Sequence, residues 1–234
     1  ALSGRVHRET AVLYNSFGII LTTAGRLPEA LDAYRETLSI YQALGMGNEL
    51  DAQVVLANVG MLEMRTGQLQ QAEATLRQAF QHQRALAGDS AAVAAALGNY
   101  GRVLVMTGRA AQAVPILQEA TDIGTRYAGA SSPVAVRNRL FLGQAQLALG
   151  DRVAARATLT ADRDAAKAQY GPNSPLTLRP QLTLARLAME EGHSAEAQAQ
   201  LNAIIPGLRA NGVQTTEDLA EALALLGQSP QLSK

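Results

Sequence analysis

Residues 96–120 read ALGNYGRVLVMTGRAAQAVPILQEA, and the order of small and large residues in this stretch decides the fold. Gly101 sits among Leu97, Val103 and Leu104 at helical spacing, Gly108 follows as a helix-ending turn, and Ala113 opens the next helical stretch. Glycine ends a helix in the left-handed conformation without a Cβ clash. Small residues on both sides of such a turn let the two helices approach closely, which predicts a tight helical hairpin. The same order recurs along the chain. Turn glycines stand at Gly25, Gly67, Gly108, Gly150 and Gly192, separated by 42, 41, 42 and 42 residues. A fixed period of this length marks a repeat architecture, and five units fill most of the chain.

The columns around the turns repeat as well. Before each turn stands Gly18, Gly60, Gly101, Gly143 or, in the last unit, Ala185; after it stands Ala30, Ala72, Ala113, Ala155 or Ala197. Phe17, Val59, Tyr100, Leu142 and Leu184 on the first helices, with Tyr34, Leu76, Leu117, Leu159 and Leu201 on the second, are the predicted core. Val55, Val59 and Leu62 follow i, i+4, i+7 spacing, and no strand-like alternation is sustained. Ser132-Pro133 and Ser174-Pro175 set a capping hydroxyl before a proline at the first helical position, and Ser90 shares their period. First helices are therefore expected near 5–24, 49–66, 91–107, 133–149 and 175–191, and second helices near 28–44, 70–86, 111–127, 153–169 and 195–209. The chain reads as one domain over 1–234, with units at about 5–47, 48–88, 89–130, 131–172 and 173–211. Leu219, Leu223 and Leu226 share a face, a Thr215-to-Asp218 capping box precedes them, and Gly227 follows, which predicts a capping helix over 215–227 and a polar tail over 228–234. Two places break the pattern. Pro180 lies inside a first helix and predicts a kink or a late start. Asp162 and Arg163 stand in columns that hold Ala79, Phe80 and Ala120 elsewhere, which predicts a register shift or an exposed helix end.

NSFGIILTTAGRLPEALDAYRETL at 15–38, LANVGMLEMRTGQLQQAEATLRQAF at 56–80, the opening stretch and FLGQAQLALGDRVAARATL at 141–159 together resemble the tetratricopeptide repeat family in its long, kinesin-light-chain-like form. The resemblance covers about residues 9–209 and implies an all-α, right-handed superhelix, an α-solenoid. It also implies a surface that binds proteins or peptides, with no catalysis in these residues. The boundary Gly171-Pro172-Asn173-Ser174-Pro175 looks like those of arrays appended to bacterial transmembrane serine/threonine kinases. That likeness implies a sensor region, outside the cytoplasm, of a larger regulator whose kinase and membrane helix precede Ala1. A start without methionine suggests a processed chain or an excised fragment.

Composition narrows the function further. Of the 234 residues 47% are apolar, enough for a substantial core, and 20 basic residues balance 20 acidic ones. A balanced charge removes the positive field of a nucleic-acid or anionic-membrane binder. The absence of cysteine excludes disulfides and thiolate zinc sites and leaves the compartment open, cytoplasmic or periplasmic. No apolar run reaches membrane-spanning length.

An array of hairpins buries its faces by stacking and leaves a concave side for ligands. Helix geometry places a stripe on that side, read at i−4, i, i+3 and i+7 from the residue two before each small residue. The stripe starts with Val12, Ser16, Ile19 and Thr23 in the first unit. In the later units it includes Asn58, Met61, Arg65, Asn99, Arg102, Arg137, Phe141, Gln144, Arg179 and Arg186 as the candidate groove. Arginine presents a rigid donor fork to carboxylates, and asparagine can hold a peptide backbone through its donor and acceptor. The predicted partner is a protein or peptide that is acidic or carries a free carboxylate; arginines that merely solvate a helix face are the competing reading.

No phosphate-binding loop occurs, and Gly45-Met46-Gly47 reads as a helix-ending loop. His7, His82 and His193 lack metal-ligand spacing, so neither metal nor cofactor is expected. Glu190 and Glu191 are adjacent on a helix and point apart, unlike an acid–base pair. Three functions follow in order: a sensor or scaffold module, a free-standing cytoplasmic peptide-responsive regulator, and, last, an enzyme that uses the groove as a substrate site.

Overall fold

The computed structural model describes residues 7–228. Five helix pairs follow one another: α1 (Arg8–Thr23) with α2 (Leu27–Ala43), α3 (Leu50–Arg65) with α4 (Leu69–Ala87), α5 (Ala91–Met106) with α6 (Ala110–Ala128), α7 (Pro133–Leu149) with α8 (Arg152–Tyr170), and α9 (Pro175–Glu190) with α10 (Ser194–Ala210). A short 3-10 turn, Gly212–Thr215, leads into α11 (Thr216–Gln228), and no strand occurs among the described residues. Of the polar tail expected over 228–234, only Gln228 is described, as the end of α11; the rest lies outside the described residues.

The helix starts follow local chemistry. Ser90, Ser132 and Ser174 accept hydrogen bonds from the backbone N–H of Val93, Ala135 and Leu176, with Pro133 and Pro175 at the first helical position of α7 and α9. All five turn glycines have positive φ. Within each pair the fit is tighter than small against small. A Cβ added at Gly60, Gly101 or Gly143 would lie 2.6 Å from Cγ of Leu76, Leu117 or Leu159, and one at Gly18 would lie 2.7 Å from the Tyr34 ring. The large residue four positions beyond the alanine fills the notch that glycine leaves. Ala30, Ala72, Ala113, Ala155 and Ala197 are all fully buried beside it.

Each pair stacks on the next through α2 with α3, α4 with α5, α6 with α7 and α8 with α9. First helices also touch, α3 with α5, α5 with α7 and α7 with α9, so these four form one continuous wall. This is an all-α solenoid.

Four expectations need correction. Phe17 is half exposed rather than core, because α1 has no unit before it in the described chain. Pro180 does not delay its helix: α9 begins at Pro175 and continues to Glu190, and the buried proline removes a single hydrogen bond near the helix start. Asp162 neither shifts the register of α8 nor exposes its end. It is fully buried, in line with Leu159 and Ala166, and accepts a hydrogen bond from Arg139 Nε at 3.0 Å. In the capping segment, Leu223 is exposed while Ala222 is buried, and the Thr215 hydroxyl donates to the Leu208 carbonyl at 2.6 Å instead of capping α11.

Candidate functional site

Because α3, α5, α7 and α9 form one wall, their inward residues from successive units converge. They bound a cavity of about 690 Å³, within the size range of pockets that enclose small ligands. Met61 and Arg65 come from α3, Asn99 and Arg102 from α5, Arg137, Phe141 and Gln144 from α7, and Arg179 from α9. Asn58 and Arg186, the other two candidate residues, are not part of the lining.

The far side is made by two segments. Thr22, Thr23 and Gly25 enter from the first hairpin; of the inward stripe expected there, Thr23 lines the cavity and Val12, Ser16 and Ile19 do not. Val213, Gln214, Glu217, Asp218 and Glu221 enter from the C-terminal end, which sequence reasoning did not assign to the groove. These two ends meet. A Cβ placed on Gly25 would lie 2.7 Å from Val213 Cγ1, so the array curls until its C-terminal turn reaches the first hairpin and the groove becomes a chamber.

Beyond Arg65, which is exposed, the candidate arginines divide into two groups. Arg179 Nε donates to Asp218 at 3.0 Å and its Nη2 donates to the Gln214 carbonyl at 2.8 Å; Arg186 Nη1 donates to Glu221 at 3.1 Å. The acidic face of α11 thus satisfies the arginines of α9. Arg102 and Arg137 have no ion-pair partner among the described residues. Arg102 lies over the Phe141 ring, 5.1 Å from its centroid, and Arg137 Nε is buried without an acceptor. Burial lowers the pKa of Arg102, the like charge of Arg179 lowers it further, and Glu217 partly offsets both. Arg137 is lowered by burial and then by Arg179. Both guanidiniums stay charged, since arginine begins far above neutrality. Two largely desolvated cations without an ion-pair partner among the described residues, both repelled by Arg179, favour an anion that supplies the missing acceptors.

Sequence reasoning missed the acidic wall. Glu217, Asp218 and Glu221 do share one side of a helix by their i, i+1, i+4 spacing. Their position opposite the arginines depends on how far the solenoid curls.

Tetratricopeptide repeat family models match residues 10–44, 51–126, 138–159 and 178–203. No curated protein is significantly similar in sequence. Among solved structures, a putative kinesin light chain from Podosopora anserina with nearly identical TPR-like repeats is 21% identical. The match covers 90% of this chain and 98% of that one, with a TM-score of 0.64. A Rap protein complexed with Competence and Sporulation Factor is 14% identical, with coverage of 94% and 64% and a TM-score of 0.76. The APC/C hetero-tetramer Cut9-Hcn1 is 17% identical, with coverage of 96% and 43% and a TM-score of 0.57.

Proposed function

Because the chain belongs to the tetratricopeptide repeat family, whose arrays generally mediate protein–protein interaction or scaffolding and are generally non-catalytic, we propose that its chamber holds an acidic or free-carboxylate segment of a protein or peptide. The observation that carries this reading is the pair Arg102 and Arg137, which line the cavity without an ion-pair partner among the described residues, while their neighbour Arg179 has one. Arg102 and Arg137 take the ligand carboxylates, Asn99 and Gln144 bond to its backbone, and Met61 and Phe141 give its side chains an apolar surface. The complex of the Rap protein with Competence and Sporulation Factor, an array of similar fold, supports a partner-binding role and leaves the ligand's charge to the arginines.

The module serves as the ligand-sensing or scaffold part of a larger bacterial regulator, such as a membrane serine/threonine kinase. Support for that setting is the Gly171-Pro172-Asn173-Ser174-Pro175 boundary alone. The coding sequence upstream of Ala1 tests it: a kinase and a membrane helix are expected there, and an unrelated gene would exclude them.

Titration calorimetry with a hexaglutamate peptide tests the binding mode. Charge-assisted hydrogen bonds contribute about 1.5–3 kcal/mol each, so Arg102→Glu/Arg137→Glu should weaken binding at least tenfold. Equal affinity for the variant, or no binding to the unaltered chain, would overturn the basic-chamber reading.

A further inference from the structure

The chamber carries both signs of charge, and only some of the charges pair. Four of its lining residues are arginines, Arg65, Arg102, Arg137 and Arg179, and three are acids, Glu217, Asp218 and Glu221. Arg179 is paired with Asp218, and Glu221 is paired with Arg186, which lies outside the lining. Among the described residues this leaves Arg65, Arg102 and Arg137 without an ion pair on one side of the cavity, and Glu217 without one on the other.

Glu217 stands in the first turn of α11, where the helix dipole favours an acid whatever it faces. Position in the helix does not account for its surroundings. It is exposed and lines the cavity, whereas Asp218 and Glu221, one and four positions on, are held by arginines of α9. Its charge also reaches the arginine wall. Burial and then Arg179 lower the Arg102 pKa, and of the two acids that oppose them Glu217 acts more strongly than Asp218.

This free carboxylate bears on what the arginines can hold. A ligand that brings only carboxylates into the cavity satisfies Arg102 and Arg137 but sets a like charge against Glu217, and such a juxtaposition selects against it. A ligand that also carries a cationic group meets no such conflict. It completes the pairing of the acid as well as that of the arginines.

We propose that Glu217 is an anionic subsite of the chamber, and that the ligand is a peptide of both signs whose carboxylates outnumber one cationic group, a basic side chain or a free N-terminal amine, held by Glu217. This rests on the reading of Arg102 and Arg137 as carboxylate sites and narrows it. Three arginines without an ion pair against one such acid make the ligand net negative, with its cationic group towards α11 and its carboxylates towards α5 and α7. Because Glu217 is exposed, its pair with the ligand contributes as an exposed pair does, about two- to fivefold in affinity.

Titration calorimetry with N-acetylated hexapeptides tests this, using hexaglutamate and chains in which its first or its last residue is replaced by lysine or by glutamine. At one of the two positions lysine should bind about two- to fivefold more tightly than glutamine, although it lowers the net negative charge. Glu217→Gln should weaken that lysine peptide and tighten hexaglutamate, opposite signs that a loss of folding does not produce. The helical circular dichroism spectrum should not change, since Glu217 is exposed. Lysine no better than glutamine at either position, or a Glu217→Gln variant that does not act with opposite sign on the two peptides, would overturn the proposal. The arginines are judged separately, by Arg102→Glu/Arg137→Glu with N-acetylated hexaglutamate. If that peptide binds through the arginines but the lysine preference is missing, the Glu217 subsite alone fails; if it does not bind the unaltered chain, both readings fail.

Discussion

Arg139 and Asp162 form an ion pair where the neighbouring unit has apolar residues, and replacing both members tests how the array tolerates it. By period Arg139 corresponds to Leu97 and Asp162 to Ala120, both buried. A single bond joins the pair, and Asp162 Oδ2 and Arg139 Nη2 are buried without a partner. Burial pushes the Asp162 carboxyl up to about 7, and the attraction of Arg139 only partly opposes this. The ordinary unfolded value is about 3.9, so the folded chain holds this proton more tightly than the unfolded chain. Asp162 therefore contributes most to stability below about pH 4, and that contribution falls as pH rises to about 7, by roughly 4 kcal/mol at the upper bound. Arg139→Leu removes the group that steadies the ionised form. Its cost should be small near pH 5 and reach about 3–5 kcal/mol once Asp162 ionises. Arg139→Leu/Asp162→Ala restores the pattern of the preceding unit. It should match the unaltered chain or exceed it by about 1–4 kcal/mol at pH 8, with a flatter dependence between pH 4 and 7. Urea denaturation followed by circular dichroism at pH 5, 7 and 9 reads all three chains, with pH 8 added for the double variant. An Arg139→Leu cost that does not change with pH, or a double variant less stable than the unaltered chain at pH 8, would refute this reasoning.

Gly101→Leu should cost about 1–3 kcal/mol, because even its Cβ would press on Leu117; a thermal melt reads the loss, and an unchanged melt would count against the hairpin packing. Asn138 donates to the carbonyls of Ala94 and Ala120 at 3.0 Å, tying α7 to both helices of the preceding unit. Asn138→Ala should cost about 1–3 kcal/mol in urea denaturation. Asp218→Asn/Glu221→Gln releases Arg179 and Arg186, so hexaglutamate should bind several-fold more tightly in calorimetry. Both pairs are partly solvated, so the melting temperature should shift little.

The period, the helix starts and the fully buried alanine column were legible because each depends on residues close in sequence. Gly101, Gly108, Ala113 and Leu117 specify a hairpin by themselves. Phe17 was misplaced because a repeat column implies a neighbour on both sides, and the first described unit has one on only one side. Asp162 reads as a defect in its own helix until Arg139 of α7 is seen to meet it. Eight of the ten candidate groove residues line the chamber, since helix geometry fixes which side of each first helix faces inward. The acidic wall of α11 and the contact between Gly25 and Val213 were not legible. Both depend on small rotations between units that add up along the whole solenoid, and no local pattern encodes that sum.

A crystal structure of the chain with hexaglutamate bound is the most direct test of the chamber as a carboxylate site. Peptide carboxylates are expected within hydrogen-bond distance of Arg102 and Arg137, inside the wall formed by the first helices. Peptide lying only on the outer faces of the second helices, with both arginines untouched, would contradict it.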